Sequence, residues 1–577
     1  MSKKASRSET SKNKSQSSSS VSKVTTTKTK RFSRVTGYVS NLNYLGLVFA
    51  TLFYAFSLLP SLLPRSFVTQ GLVTGLSIVA GYGIGSLLSH IVRWSTEKDI
   101  PAKFKPIAWR ALKLVVPVVV LVFAYLGSVW RDEVRALVQL PPDHNFQAIF
   151  MLSISLLIAV GVLALSRKVR QLFHWLKKKV DRAVPRRISI AISFALVALF
   201  VFWVFSGLFA NNFMRLADAF YSNRDTSIPE GYEQPTSPLR SGSPESLSDW
   251  DDIGYQGRKI VAGGPSVQDL SEFSKTEATQ PIRVYVGLKS GETAEDRAEL
   301  AVQELKRTGA FERPVLILAS TTGSGWLAEQ SLSSIEYMYN GNTALVAQQY
   351  SYLPSWISYL ADKSKATDTS QALYDAVVAE WSLLPRETRP KLYAYGLSLG
   401  SFGGQTPYSG VNDLRLSIDG AFFEGTPNFT TLWRNVTDNR DEGSPEWQPT
   451  YRNGETVRYA SKNSEITANQ TNWTYPRILY MQHGSDPVVW FDFNLITNKP
   501  DWLKETRAPD VSPATRWYPV VSFVQLGIDQ VTSAGVPYGH GHQYGKAVVD
   551  GWAAVTNPPN WSQEQSDELQ KVINKLL

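Results

Sequence analysis

Cysteine is missing from all 577 residues, which rules out disulfides, thiolate metal sites and a cysteine nucleophile. Histidine is scarce. The six are His90, His144, His174, His483, His540 and His542, and the first three lie in or beside very apolar or basic segments, so imidazole chemistry falls to the last three. Ionisable side chains are nearly absent at mid-membrane depth from the long apolar runs of the first 210 residues. Intramembrane charges mark ion and proton routes, so a pump or antiporter is not expected. Acidic residues are few in the same region: residues 1–210 carry 28 Lys and Arg against 7 Asp and Glu, and the remainder carries 31 against 43. The net charge of +9 averages a basic half and an acidic one. The basic residues sit between hydrophobic segments, and the acidic half shows no basic groove with interleaved aromatics, so a nucleic-acid partner is not expected.

What is present in the first half is hydrophobic length. Stretches at about 43–64, 67–92, 109–130, 146–165 and 188–210 each reach the roughly 20 residues that a helix needs to cross a bilayer. The sequence therefore predicts an all-α bundle of about five transmembrane helices over 43–210, after a basic, serine-rich tail (1–42) that touches anionic lipid headgroups. The first stretch follows a long polar segment and is followed at once by another apolar run, so it does not read as a cleavable signal peptide. The tail, the 93–108 connection (Arg93, Lys98, Lys103, Lys105) and the 166–187 connection, which holds nine Lys and Arg, are basic; the first connection near Arg65 and the 131–145 connection are not. Positive loops stay cytoplasmic. With five spans, everything after 210 is then expected outside the cytoplasm, on a multi-pass cell-membrane protein.

Residues 211–281 are rich in Pro, Ser, Gly and Asp and read as an irregular linking segment. From residue 282 to 577 short apolar runs alternate with helical patterns. Strands are predicted at 282–288, 314–319, 343–350, 392–395, 415–422 and 477–482, and helices at 293–307 and 369–384. That alternation argues for an α/β domain with a mostly parallel sheet covered on both faces.

The strand at 392–395 runs into Gly396-Leu397-Ser398-Leu399-Gly400. A serine held at a tight strand-to-helix turn needs neighbours without bulk, and this is the sequence form of a nucleophile elbow. Downstream, the 477–482 strand ends in Gly484-Ser485-Asp486-Pro487, and a glycine-rich loop carries Gly539-His540-Gly541-His542. The resulting order of serine, aspartate and histidine is that of the α/β-hydrolase triad. Ser398 is the candidate nucleophile and Asp486 the candidate acid, with a turn cap before Pro487 as its plainer role and Asp492 as the fallback. His542 is preferred as base because it leads straight into the following helix; His540 is the alternative. His483 reads as a hydrogen-bonding residue at a strand end. His540 and His542 lack an obvious third metal ligand, so neither a metal nor another cofactor is expected. Two backbone donors are needed for an oxyanion hole: Leu399, after the nucleophile, and one from the loop 320–325, with Thr321 and Thr322 as candidates.

These motifs, with Thr321-Thr322-Gly323-Ser324-Gly325-Trp326, Gln349-Tyr350-Ser351-Tyr352-Leu353-Pro354-Ser355-Trp356 and Gln482-His483-Gly484-Ser485-Asp486-Pro487-Val488-Val489-Trp490, together resemble the actinobacterial membrane-bound α/β-hydrolase family. The resemblance covers nearly the whole chain except the tail, and implies an α/β-hydrolase fold behind a multi-span N-terminal domain and a serine nucleophile. One departure stands out: 516–535 reads as a helix, where the fold usually places its last strand. The expected activity is that of a serine esterase or acyltransferase acting on an acyl ester, such as an envelope lipid or glycolipid. The competing class is a non-enzymatic membrane protein whose hydrolase-like domain only binds a lipid or a partner.

Overall fold

The computed structural model describes residues 42–96, 105–143, 147–204, 206–207, 211–361, 363–468 and 473–577. The basic tail, His144 and much of the 93–108 connection lie outside the described residues. The chain divides into two compact units, one of residues 1–55 and 77–122 and the other of 56–76 and 123–577.

Among the described residues, four helices are long and apolar enough to cross a membrane: Phe67–Thr96, Lys105–Leu137, Ala148–Val180 and Arg186–Trp203. The first expected span is not one of them. Its helix, Tyr44–Ser57, has 14 residues and is about 21 Å long at 1.5 Å per residue, short of the ~30 Å hydrocarbon core. The apolar sequence does run on through Leu58-Leu59-Pro60-Ser61-Leu62-Leu63-Pro64. Two prolines keep it from helix, because proline lacks the N–H and clashes with the preceding turn. Leu62 and Leu63 are instead buried in the core of the larger unit.

That unit is built on seven parallel strands: β1 (Ile282–Val286), β2 (Val315–Ser320), β3 (Thr343–Gln348), β4 (Lys391–Leu397), β5 (Gly420–Glu424), β6 (Val457–Ala460) and β7 (Arg477–Met481), in the spatial order β1-β3-β2-β4-β5-β7-β6. Every residue of β1, β2, β3 and β5 is buried, as parallel strands covered on both faces require. Alternate side chains feed two cores. Leu316, Leu318, Val346 and Phe423 pack on one face; Val315, Ile317, Leu345 and Phe422 pack on the other. The exposed edge of β1 is closed by residues 239–241, where Arg283 N–H donates to the Leu239 carbonyl and Ser241 N–H to the Arg283 carbonyl. An edge covered in this way cannot recruit a foreign strand.

The six expected strands are present. That expected at 415–422 is shorter and later, because Val411–Ser417 is helical. β6 was not foreseen. The segment expected as a helix, 516–535, contains Val521–Asp529 in helical form. The stretch read as irregular, 211–281, holds three α-helices, Asn211–Asp225, Gly254–Ala262 and Val267–Ser274. The chain moves outward from β2 to β3 and returns to place β4 on the other side of β2, so the loops after β2 and β4 meet where the strand order reverses. Open α/β sheets bind ligands at such a point.

Candidate active site

Ser398 sits between β4 and the short helix Leu399–Gly404 with φ 57° and ψ −125°, a left-handed backbone that a residue with a side chain adopts only when its surroundings impose it. The flanking glycines make the turn sterically feasible. A Cβ at Gly396 would lie 2.5 Å from the Gly400 backbone, and one at Gly400 would lie 2.2 Å from the Ser320 carbonyl oxygen. The Ser398 N–H donates to the Glu424 carbonyl at 2.9 Å, which ties the elbow to β5.

Asp486 follows β7 and is fully buried. Its two oxygens do different work. Oδ1 accepts the Val488 N–H at 2.8 Å, capping the helix Pro487–Trp490. Oδ2 meets His542 Nδ1 at 2.7 Å and accepts the Tyr544 hydroxyl at 2.7 Å. The turn cap and the imidazole partner are therefore the same residue. A carboxylate only accepts, so Nδ1 carries the ring proton and Nε2 is left as the acceptor. That Nε2 is buried and has no partner among the described residues. Burial pushes the Tyr544 hydroxyl well above its ordinary pKa, which keeps it a donor to Asp486.

Ser398, Leu399, Thr322 and His542 line one cavity of about 470 Å³, together with Trp326, Trp356, Tyr359, Phe429, Phe491 and Val531. The His542 loop is held from two sides. Its N–H donates to the Ser533 carbonyl at 3.0 Å, just beyond the helix Val521–Asp529, and its ring lies against Gly425, where a Cβ would come within 2.6 Å of Cε1.

His540 goes elsewhere. It lines a second cavity of about 900 Å³ with Glu424, His483, Asp510 and Lys546, and burial lowers its pKa. His483 is a strand-end residue as expected: Nδ1 pairs with the Gly541 carbonyl at 2.8 Å and its ring stacks on Tyr544 at 4.3 Å. Asp492 pairs with Arg434 at 2.6 Å and caps the turn at Asn494, with no histidine partner among the described residues. In the loop after β2, the Thr322 N–H donates to the Trp326 carbonyl at 3.0 Å, and the Thr321 hydroxyl donates to the Gln348 carbonyl at 3.0 Å. Sequence reasoning did not single out Tyr544 or Gly425. Tyr544 stands two residues after His542, and that spacing was the available signal; nothing in the local sequence marks Gly425.

Residues 282–569 match a family described as alpha/beta-hydrolase, and residues 58–265 match the family describing the N-terminus of such proteins. No curated protein and no solved structure matched the chain in the same comparisons. The chain belongs to this alpha/beta-hydrolase family, N-terminal region included.

Proposed function

We propose that the protein is a membrane-anchored serine hydrolase that cleaves or transfers the acyl group of an ester. The observation that carries this reading is the unpartnered Nε2 of His542, held by Asp486 on its other nitrogen, in the cavity that also contains the strained Ser398. Nε2 takes the Ser398 proton as Oγ attacks the acyl carbonyl, and Asp486 holds the imidazole tautomer and stabilises the imidazolium. The imidazolium then protonates the departing alkoxide, and water or an acceptor hydroxyl releases the acyl group. Leu399 N–H, at the start of its helix, is one oxyanion donor. Because the Thr322 N–H is already used by Trp326, its hydroxyl is the donor from the loop after β2.

A fluorophosphonate probe tests the reading directly. Purified full-length protein in detergent is expected to be labelled covalently and the Ser398→Ala variant to remain unlabelled. A wild-type protein that resists the probe overturns the proposal.

The four long helices also support an external catalytic domain. Keeping the basic connections 93–108 and 166–187 inside leaves 58–66, 131–147 and everything after Trp203 outside. Contacts within the larger unit agree with that orientation. Arg65 and Ser61 bind Asp529, Glu133 binds Ser512, and Leu62, Leu63 and Val138 join the hydrolase core.

A further inference from the structure

The helix Asn211–Asp225 begins eight residues after Trp203, the end of the last candidate span. Two apolar stripes run along it. Met214, Ala217 and Tyr221 pack on Leu353 and Ile357, and the Tyr352 hydroxyl donates to Asp218 at 2.8 Å, so the helix is docked on the α/β domain. The second stripe lies one position earlier at each step. Phe213, Leu216 and Phe220 are 49%, 72% and 64% exposed. At 100° per residue the two stripes form one continuous apolar arc, with only half of it covered.

The bare half leads to the catalytic cavity. Phe213 meets Trp356 with ring centroids 6.3 Å apart, and Trp356, itself 43% exposed, lines the cavity of Ser398. Tyr359, on the same short helix, stacks on Phe429 at 4.9 Å, and Phe429 meets Phe402 beside the elbow at 4.9 Å. Trp356, Tyr359 and Phe429 all line the cavity that holds Ser398, so aromatic rings extend from the stripe into that cavity. Val531, a further lining residue, is also exposed. On the preceding span, Phe194, Leu199, Phe202 and Trp203 are bare as well. Side chains of that kind on a membrane helix are satisfied by lipid, and the half-bare helix Asn211–Asp225 follows that span closely in the chain.

We propose that the helix Asn211–Asp225 lies in the bilayer surface, with Phe213, Leu216 and Phe220 among the lipid, and that it delivers a bilayer-embedded acyl ester past Trp356 to Ser398. The inference rests on the serine-hydrolase reading for its chemistry and deepens it by naming the substrate class, a long-chain lipid ester. Ser398 Oγ forms a bond to the acyl carbon and the ester C–O bond breaks. The freed alcohol leaves with the proton that His542 took from Ser398, and water hydrolyses the acyl-enzyme. Interfacial helices of this sort bury their apolar face several ångströms into the headgroup boundary.

Two measurements on the full-length protein in phosphatidylcholine and phosphatidylglycerol vesicles test this. Because the chain lacks cysteine, Leu216→Cys and, as a control, Glu387→Cys each carry a single site for an environment-sensitive fluorophore. The probe at 216 is expected to be quenched by nitroxide-labelled lipid and the probe at 387 only by an aqueous quencher. Aqueous quenching at 216, or protection from both quenchers as under a partner protein, overturns the proposal whatever the enzyme does. The second measurement compares Leu216→Asp/Phe220→Asp with wild type; neither side chain lines the cavity. Fluorophosphonate labelling and turnover of a water-soluble short acyl ester are expected to stay within about twofold, while turnover of a long-chain diacyl lipid in the vesicles falls at least tenfold. Equal retention of both turnovers overturns the route. Lipid quenching at 216 in a wild-type protein inert to fluorophosphonate would leave the surface standing and remove the ester chemistry, so the two failures are separable.

Discussion

Ser398, His542 and Asp486 act as a unit in the proposed mechanism, and units lose activity non-additively. Ser398→Ala is expected to lower turnover of a short acyl ester by about 10⁴-fold or more with its thermal melt unchanged. His542→Ala should fall nearly as far, and adding Asp486→Ala to it should make little further difference. His540→Ala belongs to another cavity and should stay within about tenfold of wild type. The same assay on all four variants decides: a His540 variant as damaged as Ser398→Ala, with His542→Ala active, moves the base to His540. Glu424, on the strand beside the elbow, offers a test of stability. It is fully buried, and burial pushes its carboxyl up to about 8 against the opposing bond from the Tyr395 hydroxyl. The folded protein then keeps a proton that the unfolded chain releases above the ordinary carboxyl range, so stability falls as pH rises from about 4.5 to about 8. Glu424→Gln retains an acceptor for Tyr395 and removes this titration. Its melting temperature is expected to gain on wild type between pH 5.5 and 8.5; parallel curves would show that Glu424 ionises freely in the fold.

Legibility in the sequence followed how far each element's environment is local. β2 and β3 are buried throughout and hold the unbroken apolar runs 315–319 and 344–347, and a run of that kind announces a strand on its own. β6 has four residues with Arg458 only half-buried, too short and too mixed to stand out. The elbow was legible because its strain requires glycines within two residues of Ser398. The separation of His540 from His542 was not: it depends on the turn at Gly541 and on the contacts of His542 with Gly425, Asp486 and the Ser533 carbonyl, which are distant in sequence. The same limit explains the first apolar stretch, whose hydropathy looks like a span while Leu62 and Leu63 answer to the hydrolase core. That connection carries its own prediction. Arg65 Nε and Nη2 meet Asp529 at 2.6 and 3.0 Å, Ser61 adds a bond at 2.6 Å, and both members of the ion pair are buried. Breaking a buried pair strands a charge and costs about 3–5 kcal/mol, whereas replacing both members with apolar side chains is often neutral. Arg65→Met and Asp529→Leu should each lower the melting temperature markedly, and the double variant should recover most of the loss. Additive losses would mean that the pair is not coupled.

At the scale of the whole molecule, orientation does not depend on whether the short helix Tyr44–Ser57 crosses the bilayer. In the proposed orientation the basic connections on either side of the helices Lys105–Leu137 and Ala148–Val180 are sufficient, since the preference of positive loops for the cytoplasmic face assigns both to it and the polar connection between those helices to the other. An internal hydrolase domain would put nine Lys and Arg of 166–187 outside. It would also draw the connections that dock on that domain, 58–66 and 131–143, to the inside. Single cysteines test this without any background thiol. Glu387→Cys lies on the exposed surface after the helix Ser364–Leu383, and Ala183→Cys lies in the exposed turn between Ala148–Val180 and Arg186–Trp203. An impermeant maleimide on intact cells is expected to label the first and to reach the second only after permeabilisation. The reverse pattern would bring the hydrolase domain into the cytoplasm and restrict the proposed lipid substrate to the inner leaflet.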